Sequence, residues 1–427
     1  MTFSDVMRKT NFIQQQISQI QRGGWSVFYI KVLKALLCIL AVPVVMVMRL
    51  VSPWFLVRYG CLFSGRIGHF AADTEMYLCE QDAGINKPVQ RHIDVFYAVE
   101  PACNQQLLTM WKRILHVWPA LFVTPIVRIN RLIPGGAMHE IGDASQGPVD
   151  VHNLLDRFSP HLQFTAEEEL RGEAGLRAMG LTAGAPFVCL IVRDSAYLNS
   201  HMANDWSYHN FRDSDIQNFV LAAEALAGRG YFVIRMGAKV LEAMKTSHPK
   251  VIDYATNGLR SDFMDIYLGA KCAFCISTGT GWDAIPYIMR RPSVYVNTVT
   301  IGHIFTSSPR FLSIPKHYLL QESKAMLTLR EIFSCGAGFL HTLSEHDALG
   351  IGLIENTPEE IRDAAVEMAE RLAGTWQIHP DDDALQNRFW EIFPADANDP
   401  LRGRPLHGEI RGRIGAAYLR NNRAWLD

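Results

Sequence analysis

The sequence predicts an α/β protein in which two Rossmann-like domains face a cleft, preceded by an N-terminal hydrophobic helical segment. Short apolar runs typical of buried strands alternate with helical patterns in both halves of the chain, which favours parallel sheets. Two of these runs, Phe55–Phe63 and Cys272–Ile276, lead through glycine-containing turns into helices. A chain of 427 residues is long enough for two ordinary domains and an appendage.

The composition excludes several classes of protein. A formal net charge of −2 and the lack of a nucleic-acid-binding signature argue against an RNA or DNA partner. The eight cysteines are dispersed, which is not a disulfide framework and fits a reducing, cytoplasmic setting. Cys272 and Cys275 form a CxxC inside an apolar run, so we interpret them as buried strand residues rather than a metal or redox pair. We expect no metal site and no cofactor, and the sequence leaves the oligomeric state open.

The N-terminal segment is predicted to attach to membranes. Residues 1–26 are polar and Gln-rich and predict a short helix that ends at Gly23–Gly24. In the hydrophobic part, residues 27–57, the longest uncharged run is Ala35–Met48, which is shorter than the ~20 residues needed to span a bilayer and contains Pro43. Basic and aromatic flanks predict an anchor that lies on, or re-enters, an anionic membrane surface. A buried helix pair and a true membrane span remain alternatives.

Four regions follow from the pattern of elements. They are the membrane-associating segment 1–54, a first Rossmann-like domain 55–182, a second 183–375, and a tail 376–427 that returns to the first domain. In the first domain we predict strands at 55–63 and 92–99 and helices at 69–80, 104–117 and 167–179, with Asn104 as a cap.

The second domain is predicted to contain a doubly wound parallel sheet. Its predicted strands are 187–192, 231–235, 251–253, 272–276 and 293–296, and its predicted helices are 214–230, 261–268, 283–289 and 358–372. Between residues 196 and 214 we expect a long polar connection. The 19-residue stretch 298–316 is longer than most connections and predicts a lid, in which His303 and Lys316 are candidate functional side chains.

The turn after the fourth of these strands is the first candidate site. Its sequence, STGTG, combines hydroxyl groups with glycines that let a ligand approach the backbone, and the positions that would cradle a diphosphate are Ser277, Thr278, Gly279, Thr280 and Gly281. Pro286 lacks an N–H and fits only in a first turn, which places the helix start near Asp283 and makes that residue an N-cap. A tight strand-to-helix turn without a ligand would show the same residues.

A dinucleotide fits this turn less well than a diphosphate. The spacing Gly279-x-Gly281-x-x-Ala284 matches the loose dinucleotide fingerprint, which needs an acidic residue about 20 positions later for the ribose. No Asp or Glu occurs between Ala284 and Gln321, and the next strand ends in Asn297. The sequence therefore does not favour NAD.

Cations follow two neighbouring strands of the predicted sheet. Arg193 and Ser195 come directly after the strand 187–192, while Arg235 ends the next strand and Lys239 follows it. A guanidinium group can grip phosphate oxygens through two hydrogen bonds, so these side chains predict a pyrophosphate site shared with the STGTG turn. Surface ion pairs are the alternative interpretation.

A histidine at the start of the first domain's helix is the candidate general base. His69 is of the residue type most often used as a general base, and Asp73 lies one helical turn further along the same face, where it can orient the imidazole. Arg66 and Gly68 lie beside them and are candidate acceptor-binding residues. A hydrogen-bonded histidine at a helix start is the structural alternative.

Several strings of the sequence resemble a bacterial glycosyltransferase family over about residues 40–375. They are RIGHFAADTEMYL, FRDSDIQNF with GYFVIRMG, DFMDIYLGAKCAFCISTGTGWDAIPYIMRRPSVYVN and IENTPEEIRDAAVEMAERL. More remotely, the second half is similar to the donor half of GT-B glycosyltransferases, including fucosyltransferases in which a strand-end arginine grips the donor's β-phosphate. The resemblance implies a GT-B-like fold, with Arg193 in that arginine's position and STGTG as the diphosphate loop.

The resemblance implies a glycosyltransferase that moves a sugar from a nucleoside-diphosphate sugar to a glycan, lipid-linked or protein acceptor without a required metal. The second domain would bind the donor, the first the acceptor, and the protein would attach peripherally to the inner face of the cell membrane. Two other classes remain open. One is another nucleotide-sugar enzyme, such as a pyruvyl transferase or a 2-epimerase, and the other is a non-catalytic membrane-associated scaffold.

Overall fold

The structure is a computed structural model that describes residues 3–141, 149–196, 207–399 and 403–427, with side chains of the first helix described from Trp25 onward. Part of the predicted polar connection, residues 197–206, lies outside the described residues.

The described chain is a mixture of helices and mainly parallel strands, as predicted. The strands are β1 Phe55–Leu62, β2 Arg91–Ala98, β3 His116–Val117, β4 Phe187–Ile191, β5 Phe232–Met236, β6 Val251–Asp253, β7 Phe274–Ser277, β8 Ser293–Thr298, β9 Phe311–Pro315, β10 His317–Leu320, β11 Ile351–Ile354 and β12 Arg413–Ile414. The α-helices are α1 Phe3–Val51, α2 Ile67–Asp82, α3 Gln105–Lys112, α4 Ala120–Leu132, α5 Leu154–Arg157, α6 Ala166–Ala178, α7 Val220–Gly228, α8 Asp262–Lys271, α9 Ala284–Ile288, α10 Leu329–Ser334, α11 Leu343–Ala348, α12 Pro358–Ala373, α13 Asp382–Ile392 and α14 Ala416–Asn421.

The chain forms two compact units. One contains Met1–Phe63, Lys87–Pro101 and Lys112–Ala144, and the other contains Ser64–Asn86, Ala102–Trp111 and Ser145–Asp427. The predicted domain boundaries at residues 54, 182 and 375 do not coincide with this division and stay a prediction.

The larger unit is built on a seven-stranded parallel sheet of order β12-β9-β8-β7-β4-β5-β6. From β4 the chain first builds outward through β5 and β6, then returns to the other side of β4 with β7 and continues through β8 and β9. The strand order therefore reverses between β4 and β7. In open α/β sheets this switch point, at the carboxyl ends of the strands, is where ligands bind.

The smaller unit contains the parallel sheet β1-β2-β3 and the helices α1 and α4. Its core joins Val45 and Met48 of α1 to Val123 and Val127 of α4 and to Tyr59 of β1. The apolar side chains of α4 at intervals of four residues explain why this face of the helix is buried.

The first helix differs from the prediction. It runs unbroken through Gly23–Gly24 and through Pro43, because a glycine lowers helix propensity without ending a helix and a proline removes one hydrogen bond of many. Within it Trp25–Val51, 27 residues with a mean hydropathy of 2.4 and 11% buried in its most apolar window, is long and apolar enough to cross a membrane. The short uncharged run was therefore a poor guide to the length of this helix. From Trp25 onward most of its side chains are exposed, and only its last part is buried, against α4.

The expected lid at 298–316 also differs from the prediction, because it contains a strand. β9 is fully buried and pairs with β8 in the seven-stranded sheet. Only the stretch between Thr298 and β9 is a connection. This shorter loop is held by the 3₁₀ turn Ile301–His303.

The described part of the tail, which was predicted to return to the first domain, packs on the seven-stranded sheet of the larger unit. β12 pairs with β9, and Phe389 and Leu419 are fully buried in the core that Ile314 of β9 shares. The polar composition of residues 376–427 concealed these few apolar anchors.

Candidate functional site

The switch point brings the first two predicted motifs together. β4 and β7 pair in parallel, with Ile191 opposite Ser277. Just beyond the strands, the Arg193 N–H donates to Thr278 Oγ1 at 2.9 Å, and the Thr278 N–H donates to the Ile191 carbonyl at 3.3 Å. The STGTG turn and the loop at Arg193 therefore form one structure at the carboxyl edge of the sheet.

Hydrogen bonds inside the STGTG turn involve many of the hydroxyl and amide groups that were predicted to bind a ligand. The Ser277 hydroxyl donates to Asp283 Oδ2 at 2.6 Å and accepts from the Gly279 N–H at 3.0 Å. The Thr280 N–H donates to the same carboxylate oxygen at 2.8 Å. The amides of Thr278, Gly279 and Thr280 therefore already have protein acceptors, and the cradling of a diphosphate by this turn stays a prediction.

Asp283 braces the turn instead of capping a helix. Its side chain makes no cap hydrogen bond, and the following helix, α9, has only five residues. Burial raises the pKa of Asp283 to about 6, opposed by hydrogen bonds from the Ser277 hydroxyl and the Thr280 amide. The turn still offers the Thr280 hydroxyl oxygen, which is buried and has no hydrogen-bond partner among the described residues.

Arg212 is a site residue that the sequence analysis missed. Its Nη2 donates to the Gly279 carbonyl at 2.6 Å, which ties the guanidinium to the turn where Gly279 adopts a φ of +76°. Burial, followed by repulsion from Arg193, lowers the pKa of Arg212 to about 10. The only sequence signal for it was its place in the FRDSD string of the resemblance.

Lys316 supports Arg212. Its buried Nζ donates to the carbonyls of Phe211, at 3.2 Å, and Asp213, at 2.8 Å. These bonds fix the backbone on both sides of Arg212. Lys316 therefore has a structural role at Arg212, and its predicted role at the acceptor or lid stays a prediction.

Arg193 points into the same region and is partly neutralised there. Its Nε lies 3.0 Å from Asp213 Oδ1 in an ion pair. Next to it, Asp194 accepts from the amides of Ala196 and Leu241, both at 2.9 Å, and Ser195 is half-buried. The loop after β4 is thus held in place by its acidic residue.

Positive charge accumulates around these residues. Burial lowers the pKa of His209, and the positive charges of Arg212, Arg193 and Arg66 lower it further, in that order. These three guanidinium groups therefore lie close enough to act on one imidazole. Arg193 and Arg212 also repel each other, which favours an anion at this edge of the sheet.

The other two predicted cations do not join this group. Arg235 lies inside β5 with a side chain only 1% exposed, and its Nη1 pairs with Asp253 Oδ1 at 3.1 Å. Arg235 therefore forms a buried ion pair in the sheet, and its predicted contact with a donor stays a prediction. Lys239 is exposed on the segment after β5.

The start of α2 contacts the STGTG turn directly. A Cβ on Gly68 would lie 3.1 Å from Gly281 Cα, so a larger residue at position 68 would push the two backbones apart by a few tenths of an ångström. The contact places Arg66 and His69, the residues on either side of Ile67 and Gly68, next to the turn.

The predicted pairing of His69 with Asp73 is present. His69 Nδ1 lies 3.0 Å from Asp73 Oδ2, and the histidine side chain is 36% exposed while the aspartate is buried. A carboxylate at Nδ1 favours the tautomer that leaves Nε2 able to accept a proton. The arrangement suits a general base, and that role stays a prediction.

His303 packs against His341, with ring centroids 4.8 Å apart, and its predicted role at a lid or acceptor stays a prediction. It is half-buried in the 3₁₀ turn and lines, with Tyr287 and His407, a cavity of about 50 Å³. That volume is far below the roughly 300 Å³ of a small-molecule pocket. Burial and the neighbouring His341 lower the pKa of His303 to about 4, so its imidazole is neutral near pH 7.

A charged cluster on the buried side of α2 was also missed. Glu75, Cys79 and His161 bring their ligand atoms within 4.8 Å of one another, a spacing that could hold a metal ion. Arg290 Nη2 lies in this group, 2.7 Å from Glu75 Oε1 and 3.4 Å from Cys79 Sγ. Because a guanidinium group already lies against these ligands, we interpret the cluster as an ion-pair network that fixes α2.

The His161→Gln variant is expected to lower the free energy of unfolding by about 2 kcal/mol at pH 6, because it removes one of two positive partners of buried Glu75 and leaves Arg290 in place. Hydrogen bonds to Cys79 and Glu75 raise the pKa of His161 from 6.5 to about 10. A raised histidine pKa gives stabilisation that is full below pH 6.5 and is lost as the pH rises through about 10. Urea unfolding across this range should show a difference between wild type and variant that shrinks with pH. The half-exposed His379→Gln is the control, and a difference independent of pH would contradict the assignment.

Comparison with known proteins gives structural matches alone. No protein-family model and no curated protein matches the chain. Among solved structures, it is similar to a glycosyl transferase family 9 protein from Veillonella parvula (10% identity, 61% of this chain and 86% of that chain, TM-score 0.38). It is also similar to the E. coli ADP-heptose lps heptosyltransferase II (13%, 56% and 84%, 0.34) and to E. coli heptosyltransferase WaaC (12%, 56% and 89%, 0.27). At these identities and TM-scores the matches decide neither the fold family nor the activity, and the similarity to fucosyltransferases stays a prediction.

Proposed function

We propose that the protein is a glycosyltransferase whose donor is a nucleoside-diphosphate sugar. The observation that carries the proposal is the group of arginines Arg193, Arg212 and Arg66 around the STGTG turn, at the point where the strand order of the parallel sheet reverses. This is the position and the charge that a diphosphate needs.

The arginines would hold the diphosphate and stabilise it as a leaving group. Guanidinium groups donate several N–H bonds in a fixed plane and match phosphate oxygens two at a time. The Thr280 hydroxyl adds a neutral donor beside them. Negative charge that develops on the departing nucleotide would be stabilised by donors already in place, so the transfer does not require a metal ion.

The acceptor would bind near Arg66, Gly68 and His69. In the transfer, the His69 imidazole accepts the proton of an acceptor hydroxyl, and the oxygen forms a bond to the sugar's anomeric carbon. The bond between that carbon and the diphosphate breaks, and its electron pair leaves with the nucleotide. Asp73 keeps the imidazole oriented and stabilises its charge.

The helix α1 would attach the enzyme to the inner face of the cell membrane. Between Trp25 and Leu50 it exposes many large apolar side chains, and an exposed apolar surface of this size is typical of a membrane or protein contact. An enzyme held there reaches glycan acceptors that are linked to lipids.

A thermal-shift screen tests the donor. One of UDP, GDP, CDP, dTDP or ADP should stabilise the protein by about 2.7 kcal/mol at 100 times its dissociation constant. The Arg193→Ala variant should lose this shift, because the guanidinium that grips the diphosphate is gone, while Arg229→Ala, at the opposite edge of the sheet, should keep it. If no nucleotide stabilises the protein, the proposal fails. If Arg193→Ala keeps the full shift, the diphosphate is held elsewhere.

A further inference from the structure

The start of α4 presents apolar side chains to the outside of the smaller unit. Trp118, Leu121 and Phe122 are 55%, 45% and 55% exposed. The opposite face of the helix, with Val123 and Val127, is buried against the core. The exposed group therefore does not contribute to the fold of this unit.

The same segment is uncharged and is flanked by basic residues. From Ile114 to Val127 the sequence has no lysine, arginine, aspartate or glutamate. Exposed arginines, Arg128 and Arg131, appear further along the helix, and Lys112 and Arg113 precede the segment. An apolar stretch with a tryptophan at its edge and cations on both sides is typical of a protein surface that enters the boundary of an anionic bilayer.

The packing shows where this stretch lies along α1. Val45 and Met48 share a core cluster with Val123 and Val127. The Arg49 guanidinium donates to Asn130 Oδ1, at 2.9 Å, and to the carbonyls at the end of α4. The carboxyl ends of the two helices are therefore adjacent, so α4 runs parallel to α1, and the start of α4 lies toward Trp25 along α1.

The length of α1 then determines how deep α4 lies. A hydrocarbon core of about 30 Å takes about 20 helical residues at 1.5 Å each. Counted from Trp25, these residues reach about Val44, beyond the point where burial against the unit begins at Ala41. If α1 is in the bilayer over that length, the first turn of α4 is at membrane depth beside it.

We propose that the start of α4, with Trp118, Leu121 and Phe122, is a second membrane-inserting element that lies in the lipid boundary beside α1. The inference rests on the proposed attachment of α1 to the membrane. It commits to lipid as the partner because the exposed surface of α4 continues that of α1, where Ile39, Leu40 and Val42 are exposed in the same stretch.

Photo-cross-linking in the full-length protein tests this placement. Benzoylphenylalanine is incorporated at position 121, at position 132 near the other end of α4, and at position 40 of α1, all exposed in the structure. The protein is reconstituted into vesicles that contain anionic phospholipid, irradiated, and mapped by mass spectrometry. We expect a lipid adduct yield at position 121 about tenfold above that at position 132, because only the start of the helix meets acyl chains.

The three positions separate the possible failures. Adducts at position 40 without adducts at 121 would overturn the role of α4 and leave the attachment of α1 intact. The absence of adducts at both positions would overturn the attachment itself. A cross-link from position 121 to a second copy of the chain would identify the face as a protein interface, and equal lipid yields at 121 and 132 would overturn the proposed orientation.

Discussion

Replacing His69 with alanine is expected to lower kcat by about 10²–10⁴-fold, which is the usual contribution of a positioned general base. The affinity for the nucleoside diphosphate should change little, because the groups that would hold it, the arginines and the STGTG turn, do not include His69. His69 lies beside the STGTG turn through the Gly68–Gly281 contact and is exposed enough to meet an acceptor hydroxyl. Its partner Asp73 is buried, which holds the imidazole in one orientation.

The role of Asp73 can be separated from that of His69. Asp73→Asn keeps the size of the side chain and removes its charge, so the imidazole loses its stabilising partner without leaving a cavity. We expect a smaller loss of kcat, about tenfold or more, with an unchanged KM for the donor. An aspartate that only stabilised the helix would lower the melting temperature and leave kcat intact.

The reaction can be followed before the acceptor is known. Release of nucleoside diphosphate from the donor chosen by the thermal-shift screen is measured with water or with simple sugars as acceptors, since the base assists attack by either. His379→Ala, in the half-exposed region after α12, is the matched control. A His69→Ala enzyme that retains wild-type turnover would show that the base lies elsewhere.

Much of the larger unit was predictable because its strands are buried on both faces. Such strands read as continuous apolar runs, and β4, β5 and β7 were recognised within two residues of their ends. β9 was missed because its residues, FLSIP, include a serine and end in a proline, within a stretch that otherwise looks like a loop. Pairing with β8, not local sequence, makes it a strand.

In the candidate site, too, contacts set by local spacing were predictable and contacts set by tertiary packing were not. The contact of His69 with Asp73 needs only helical spacing, and helical spacing can be seen in a sequence. Arg212 meets a carbonyl 67 residues away, so its place depends on tertiary packing that no local pattern records. The sequence does not distinguish a cation that faces a ligand at the end of a strand from a cation that is buried. Arg235 is buried because β6 brings Asp253 beside it, and this pairing of strands cannot be seen in the local sequence.

Replacing Arg212 with methionine is expected to weaken nucleoside diphosphate binding by about tenfold to a hundredfold, the effect of losing a charged hydrogen bond of 1.5–3 kcal/mol. The guanidinium is largely buried, it lies near Arg193, and its pKa is lowered to about 10 by burial and by that repulsion. A bound diphosphate would remove the repulsion, so the arginine gains more from the ligand than an isolated surface charge would. Arg212→Lys should recover part of the affinity, because it keeps the charge but not the planar pair of donors.

The same argument predicts how the loss depends on salt. Binding of the wild type should weaken as ionic strength rises, and the Arg212→Met variant should show a shallower dependence because one cation fewer faces the ligand. Titration calorimetry at low and high salt measures both quantities. Arg229→Met removes the same charge at the opposite edge of the sheet, where Arg229 pairs with Glu370. If that control weakens binding as much as Arg212→Met does, net charge rather than the arginine group at the switch point governs affinity. Wild-type affinity in Arg212→Met would mean that the diphosphate does not reach the turn at Gly279.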